Sequence, residues 1–231
     1  MQYLLIIISV ISIVFALFSA YLGERKKFVS KIIFKALASA LFFLAGIIFA
    51  VKSNLGNYGL MITIFLALSM LGDVFLSLHV ILPQKLKNVA NLLGGLLFLG
   101  AHILLFVTFA KIAKFNPILL ALLPLLPIII AIFAKAKLVN ITKKMIIPCI
   151  IYALALNLLL VACINIALAK VGTTVFNSLV ISAGVTFVIS DLFLLLANFG
   201  KDEKIKRQSM YVVMAFYYLA QNIFAFTIFY A

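Results

Sequence analysis

Residues 58–78 read YGLMITIFLALSMLGDVFLSL, a run in which Asp73 is the only charged residue. As a helix rising about 1.5 Å per residue, a run of this length matches the ~30 Å hydrocarbon core of a bilayer. Seven further runs of similar character lie at 3–22, 31–51, 88–110, 117–134, 145–168, 173–196 and 210–230, cut apart by Lys/Arg, Gly/Asn and Pro. The chain therefore reads as an all-α membrane protein of eight transmembrane helices, a single polytopic domain over 1–231. The first run is too long and too poor in leading basic residues for a secretory signal, so a retained helix is expected there.

Composition agrees. Of 231 residues, 67% are hydrophobic and 10% charged, with a mean hydropathy of +1.33. A soluble domain is about half apolar and a quarter charged, which excludes that class. Nineteen Lys and Arg against five Asp and Glu give a net charge of +14. Nucleic acid is nevertheless not the implied partner, because the basic residues are scattered between apolar runs rather than gathered on one patch. The partner implied is the lipid bilayer; nothing in the sequence specifies an oligomeric state. Cys149 and Cys163 share one apolar run and are expected to serve helix packing. Ser53, Asn54 and Gly56 are expected to make a tight loop.

Charge distribution sets an orientation. Fourteen basic residues fall in the odd-numbered connections: Arg25, Lys26, Lys27 and Lys31; Lys85 and Lys87; Lys135, Lys137, Lys143 and Lys144; Lys201, Lys204, Lys206 and Arg207. Only four, Lys52, Lys111, Lys114 and Lys170, fall in the even ones. The positive-inside rule places the odd connections in the cytoplasm and both termini outside. Short loops and a Lys/Ile/Phe/Asn-rich composition point to a bacterial inner (plasma) membrane. The remaining acids, Glu24, Asp202 and Glu203, read as solvated loop charges.

The chain also reads as a parallel 4+4 internal duplication, 1–116 and 117–231. Asp73 and Asp191, each followed by a hydrophobic residue and Phe-Leu, are separated by 118 positions. Lys35-Ala-Leu-Ala and Tyr152-Ala-Leu-Ala are separated by 117, and the segments ending at His102 and Gln221 by 119. With four spans between copies, the repeats run parallel rather than inverted.

Asp73 and Asp191 carry the functional argument. A carboxylate in mid-membrane costs at least about 2.5–3.5 kcal/mol, so such an acid is a functional candidate by default. The alternative is a structural hydrogen bond or ion pair that locks helices. Each acid lies five residues before the end of its run, about 7–8 Å along the axis, on helices of the same direction. Two acids at one depth are expected to meet across a single site. A like charge nearby in low dielectric would leave one protonated and the other ionised, the arrangement that general acid–base hydrolysis needs.

Other polar groups fall at similar depth. Lys35, Tyr152, Tyr217 and Gln221 enter their helices by one to three turns. His102 lies deeper, on a face expected to include Asn91, Gly95 and Phe98. Ser69 and Ser77 flank Asp73, and Ser190 adjoins Asp191. Each has an alternative: Lys35 can snorkel to the interface, His102 and Gln221 can bond between helices, and the tyrosines can be core aromatics. His79, at a run end, reads as a loop residue. No HExxH-like spacing supports a metal site, and there is no phosphate-cradling glycine loop, GxSxG elbow or Cys/His nucleophile pair.

The strings GDVFL (72–76), GLLFLGAH (95–102), GVTFVISDLFL (184–194) and YYLAQ (217–221) resemble the YhhN-like lysoplasmalogenase family. The similarity covers Lys35 to Gln221. One departure is Ala36, where the family pattern has Pro after the helix 2 lysine. The resemblance implies an eight-helix membrane hydrolase without a cofactor. Its substrate would be a lysophospholipid, lysoplasmalogen, whose vinyl ether bond is cleaved to a fatty aldehyde and a glycerophospho-ethanolamine or -choline. The family's two membrane aspartates match Asp73 and Asp191, with Lys35 as a phosphate contact and His102, Tyr152, Ser190, Tyr217 and Gln221 in support. The rival reading is a proton-coupled membrane transporter, since intramembrane acids in a duplicated bundle also describe proton relays.

Overall fold

The structure is a computed structural model that describes residues 2–53 and 56–231, apart from the side chains of Gln2 and Leu4. Of the expected tight loop, Asn54 lies outside the described residues. Eight helices follow one another: α1 (Gln2–Glu24), α2 (Phe28–Lys52), α3 (Asn57–Leu78), α4 (Gln84–Ile112), α5 (Leu125–Lys135), α6 (Lys143–Ala169), α7 (Thr174–Phe199) and α8 (Glu203–Tyr230). A 3₁₀ turn over Pro117–Leu122 precedes α5 and completes the fifth span. All eight spans are long and apolar enough to cross a membrane. Among the described residues there is no strand, only an isolated bridge between Val139 and Gly200.

Six helices close a ring. α2 packs on α3, α3 on α4, α4 on α6, α6 on α7, α7 on α8, and α8 returns to α2. α1 lies outside against α2 and α8, and α5 outside against α6. The short connections force neighbours antiparallel. Glu24, ending α1, meets Arg207 of α8 at 3.6 Å, and the Val139–Gly200 bridge joins two more odd connections at that end. At the other end, Asn165 of α6 accepts from the Asn116 backbone at 3.0 Å.

The burial pattern is that of a membrane bundle. Ile7, Leu92, Ile128, Ile147 and Leu168 are exposed on the outside, whereas Ser39, Asp73, His102, Asn157, Ser190 and Gln221 are buried. In lipid the outer surface pays no penalty for being apolar, while every polar group needs an internal partner. Close helix approach follows from small residues. A β-carbon on Gly184 of α7 would lie 2.8 Å from the Cys163 sulfur of α6, and one on Gly72 of α3 would lie 2.7 Å from the Phe98 ring of α4. Cys163 thus fills a helix–helix contact.

Two local features depart from the sequence expectation. The acids near the helix ends are exposed, as expected, but two of the three lie on helices rather than in loops. Glu24 closes α1, Glu203 opens α8, and Asp202 is the N-cap of α8, accepting from the Lys204 and Ile205 backbones at 2.7 and 3.2 Å. A capped turn extends α8 several residues beyond its apolar run. The fifth span, expected as one helix, is interrupted. Pro127 has no N–H to bond the carbonyl four residues earlier, and the Leu122 and Leu123 carbonyls accept instead from the Asn157 amide of α6 at 2.6 and 2.8 Å. Asn157→Leu is expected to strand both carbonyls in an apolar setting and to destabilise the bundle by about 1–3 kcal/mol. Unfolding in detergent micelles checks this; an unchanged midpoint would show that the break needs no polar cap.

Candidate active site

Asp73 is almost fully buried, with its side chain 4% exposed. The Lys35 ammonium of α2 lies 3.1 Å from its Oδ1. Ser39, one turn along α2, donates to Oδ2 at 2.8 Å, and the Tyr218 hydroxyl of α8 lies 3.4 Å from the same oxygen. Tyr218 and Ser39 also bond each other at 2.9 Å. Lys35 and Ser39 share a helix face because residues four apart stack along it. The flanking serine Ser77 bonds the Asp73 backbone carbonyl at 2.6 Å, not the carboxylate.

This geometry revises the reading of Lys35. Its side chain is 13% exposed and points inward to Asp73, so the ammonium neither snorkels nor stands free for a phosphate. A desolvated ion pair is tolerable only when its remaining valences are satisfied, and Ser39 and Tyr218 satisfy those of the carboxylate's second oxygen. Neither of these two residues was singled out from the sequence. Ser39 could have been found from its spacing to Lys35; Tyr218 carried no signal beyond adjoining Tyr217.

Asp191 sits in different company. The Tyr152 hydroxyl of α6 donates to its Oδ2 at 2.8 Å, and among the described residues no cation lies within ion-pair distance. Its neighbour Ser190 turns away, donating to the Val213 carbonyl of α8 at 3.4 Å. α7 continues to Phe199, so Asp191 stands eight residues from its helix end and Asp73 five. Counting from helix ends therefore does not put the acids at one level.

An array of rings relates them instead. Tyr152 stands edge-on to His102 with centroids 5.5 Å apart, His102 to Phe187 at 5.1 Å, Phe187 to Tyr217 at 5.6 Å and Tyr217 to Tyr218 at 5.0 Å. Phe98 and Phe42 close on Tyr217 at 6.0 and 6.3 Å. The array thus runs from the phenol on Asp191 to the phenol on Asp73, and the Tyr152 hydroxyl lies in the field of both carboxylates. Tyr217 has Asp73, Tyr218 and Gln221 as its polar neighbours. Among the described residues, both ring nitrogens of His102, the Tyr217 hydroxyl and both amide atoms of Gln221 are buried without a well-formed hydrogen bond, although the Phe98 backbone lies near His102, and Asp73 and Gln221 near Tyr217. Such groups are costly unless used; here they can hold a water or the polar part of a substrate.

The structure thus groups Lys35 with Asp73, Tyr152 with Asp191, and His102, Tyr217 and Gln221 between or beside them, while Ser190 serves the α7–α8 contact. On α4 the buried stripe is Ala90, Gly94, Phe98, Ala101, His102 and Leu105. Asn91 is exposed, and Gly95 has open space where a β-carbon would be, so neither joins His102.

A model of the YhhN family matches residues 30–228, which include every residue named in this array. No curated protein and no solved structure matches the chain.

The ion pair makes a test of its own. Lys35→Met leaves a buried carboxylate uncompensated, and about 3–5 kcal/mol of destabilisation is expected. The double variant Lys35→Met/Asp73→Asn removes both charges and should recover most of that loss. Equal instability of single and double variants in detergent unfolding would mean that the pair does not couple α2 to α3.

Proposed function

The chain belongs to the YhhN family, and we propose that it hydrolyses the vinyl ether bond of lysoplasmalogen within the membrane. The observation that carries this reading is the placement of two carboxyls of unlike surroundings, Asp73 buried and Asp191 half-buried, at the two ends of one aromatic array.

A vinyl ether is hydrolysed when a proton reaches its β-carbon. The resulting oxocarbenium ion takes up one water, whose proton returns to the carboxylate that gave up the first, and the hemiacetal collapses to a fatty aldehyde and the glycerol hydroxyl of the glycerophospho-alcohol. The chemistry needs an acid, a fixed anion for the cationic intermediate, and a held water. Asp191, with one phenol on Oδ2 and, among the described residues, no cation within ion-pair distance, is the proton donor in this reading. Asp73, anchored by Lys35, Ser39 and Tyr218, is the fixed anion. His102, Tyr217 and Gln221 supply the unpartnered donors and acceptors for the water. The aromatic walls suit an alkenyl chain and face a transient cation with electron-rich rings.

The same reading places the chemistry in a multi-pass protein of a bacterial inner membrane, with the Lys- and Arg-rich end in the cytoplasm and two parallel four-helix repeats. The repeat is supported by the pairing of α2 with α8 and of α6 with α4. In a carrier, discontinuous helices are expected in both halves; the fifth span is interrupted, whereas α1, its counterpart in the first half, is continuous.

Purified protein in detergent is expected to release long-chain aldehyde from lysoplasmalogen and no fatty acid from its ester-linked counterpart. Asp191→Asn should lower turnover at least about 100-fold while remaining folded, and so should Asp73→Asn made together with Lys35→Met, which leaves no stranded cation; Tyr152→Phe should lower it about tenfold. Near wild-type turnover in either Asn variant would remove the pair from the mechanism. A carrier would give no aldehyde at all.

A further inference from the structure

With Lys35 committed to Asp73, the phosphate of a lysophospholipid needs another counter-charge. A groove of about 300 Å³ opens at the end of the bundle where α1 and α7 finish and α8 begins, lined among others by Glu24, Lys31, Glu203, Lys206, Arg207 and Tyr211. Two of its cations are matched: Lys206 by Glu203 at 2.7 Å and Arg207 by Glu24 at 3.6 Å. Lys31 is not. Its side chain runs along Gly23, half-buried, and among the described residues no carboxylate lies within ion-pair distance of its ammonium. Two ion pairs and one spare cation give the groove a net positive charge with acidic oxygens beside it. That is the complement of a zwitterionic headgroup, in which a phosphodiester is followed by an ammonium.

Its position fits as well. Lys31 precedes Lys35 by one turn on the same face of α2, and Tyr211 precedes Tyr218 by about two turns on the same face of α8. The groove is therefore displaced from the Asp73 cluster by about 6–10 Å along the helices. In a lysoplasmalogen, three glycerol carbons and one ester oxygen separate the vinyl ether oxygen from phosphorus, a comparable span.

We propose that this groove is the headgroup subsite, in which Lys31 and Arg207 hold the phosphodiester of a zwitterionic lysophospholipid and Glu24 its ammonium. The inference rests on the lysophospholipid reading above and moves the phosphate contact from Lys35 to Lys31.

The test is thermal unfolding of the full chain in detergent with three probes: ester-linked lysophosphatidylethanolamine, a monoacylglycerol of the same chain length, and inorganic phosphate. The lysophospholipid should raise the midpoint above the monoacylglycerol. Lys31→Gln and Arg207→Gln should each weaken its binding about tenfold, and Lys31→Arg should retain it. Equal stabilisation by monoacylglycerol, or lysophospholipid binding unchanged in both Gln variants, would overturn the proposal. So would an equal response to inorganic phosphate alone, which would make the groove a free-anion site. Because the ester lipid has no vinyl ether bond, the result stands apart from aldehyde release. Lys31-dependent binding without aldehyde would reject the hydrolase and keep the subsite.

Discussion

A lysine and an aspartate facing each other at 3.1 Å inside an apolar bundle set the terms for everything around them. Neither charge can be left alone there, since each would carry a desolvation penalty of several kcal/mol. Their pairing pins α2 to α3, and the carboxylate's other oxygen recruits Ser39 from α2 and Tyr218 from α8. Three helices of the ring are thereby held at one point, and the aromatic array begins from it. The small residues that let the helices close, among them Gly72 against Phe98, keep the array tight.

The second acid gains its meaning from the contrast. Asp191 has a phenol where Asp73 has an ammonium, a hydroxyl and a phenol. The difference between the two carboxyls is built by their partners rather than by repulsion between them, which is the cause the chain's charge pattern alone had pointed to. A site with one balanced anion and one unbalanced acid can deliver a proton without losing its fixed charge. The unpartnered atoms of His102, Tyr217 and Gln221 extend the polar ground between the acids without adding a formal charge.

How much of this the sequence discloses depends on the range of the force involved. Eight spans are legible because a bilayer imposes a length and a polarity on every crossing segment, and both are local properties. Their ends are less so, because a cap such as Asp202 extends α8 into polar sequence. The fifth span reads as one helix in the sequence despite Pro124 and Pro127, because what compensates its interruption lies on another helix, at Asn157. The acids stand out because charge is rare in apolar runs. The partners do not: Lys35 could equally have snorkelled, and Ser39 and Tyr218 belong to residue types common throughout the bundle. Choice of partner is a tertiary fact. Asn91 shows the converse, a residue in helical phase with Phe98 that the packing leaves exposed.

The central claim is that a carboxylic acid of this bundle protonates carbon. Hydrolysis of lysoplasmalogen in D₂O, with the aldehyde trapped at once by reduction to the alcohol, tests it directly by mass spectrometry. One solvent deuterium on the carbon next to the former aldehyde carbon is the expected result. Aldehyde formed without deuterium at that carbon would contradict the account.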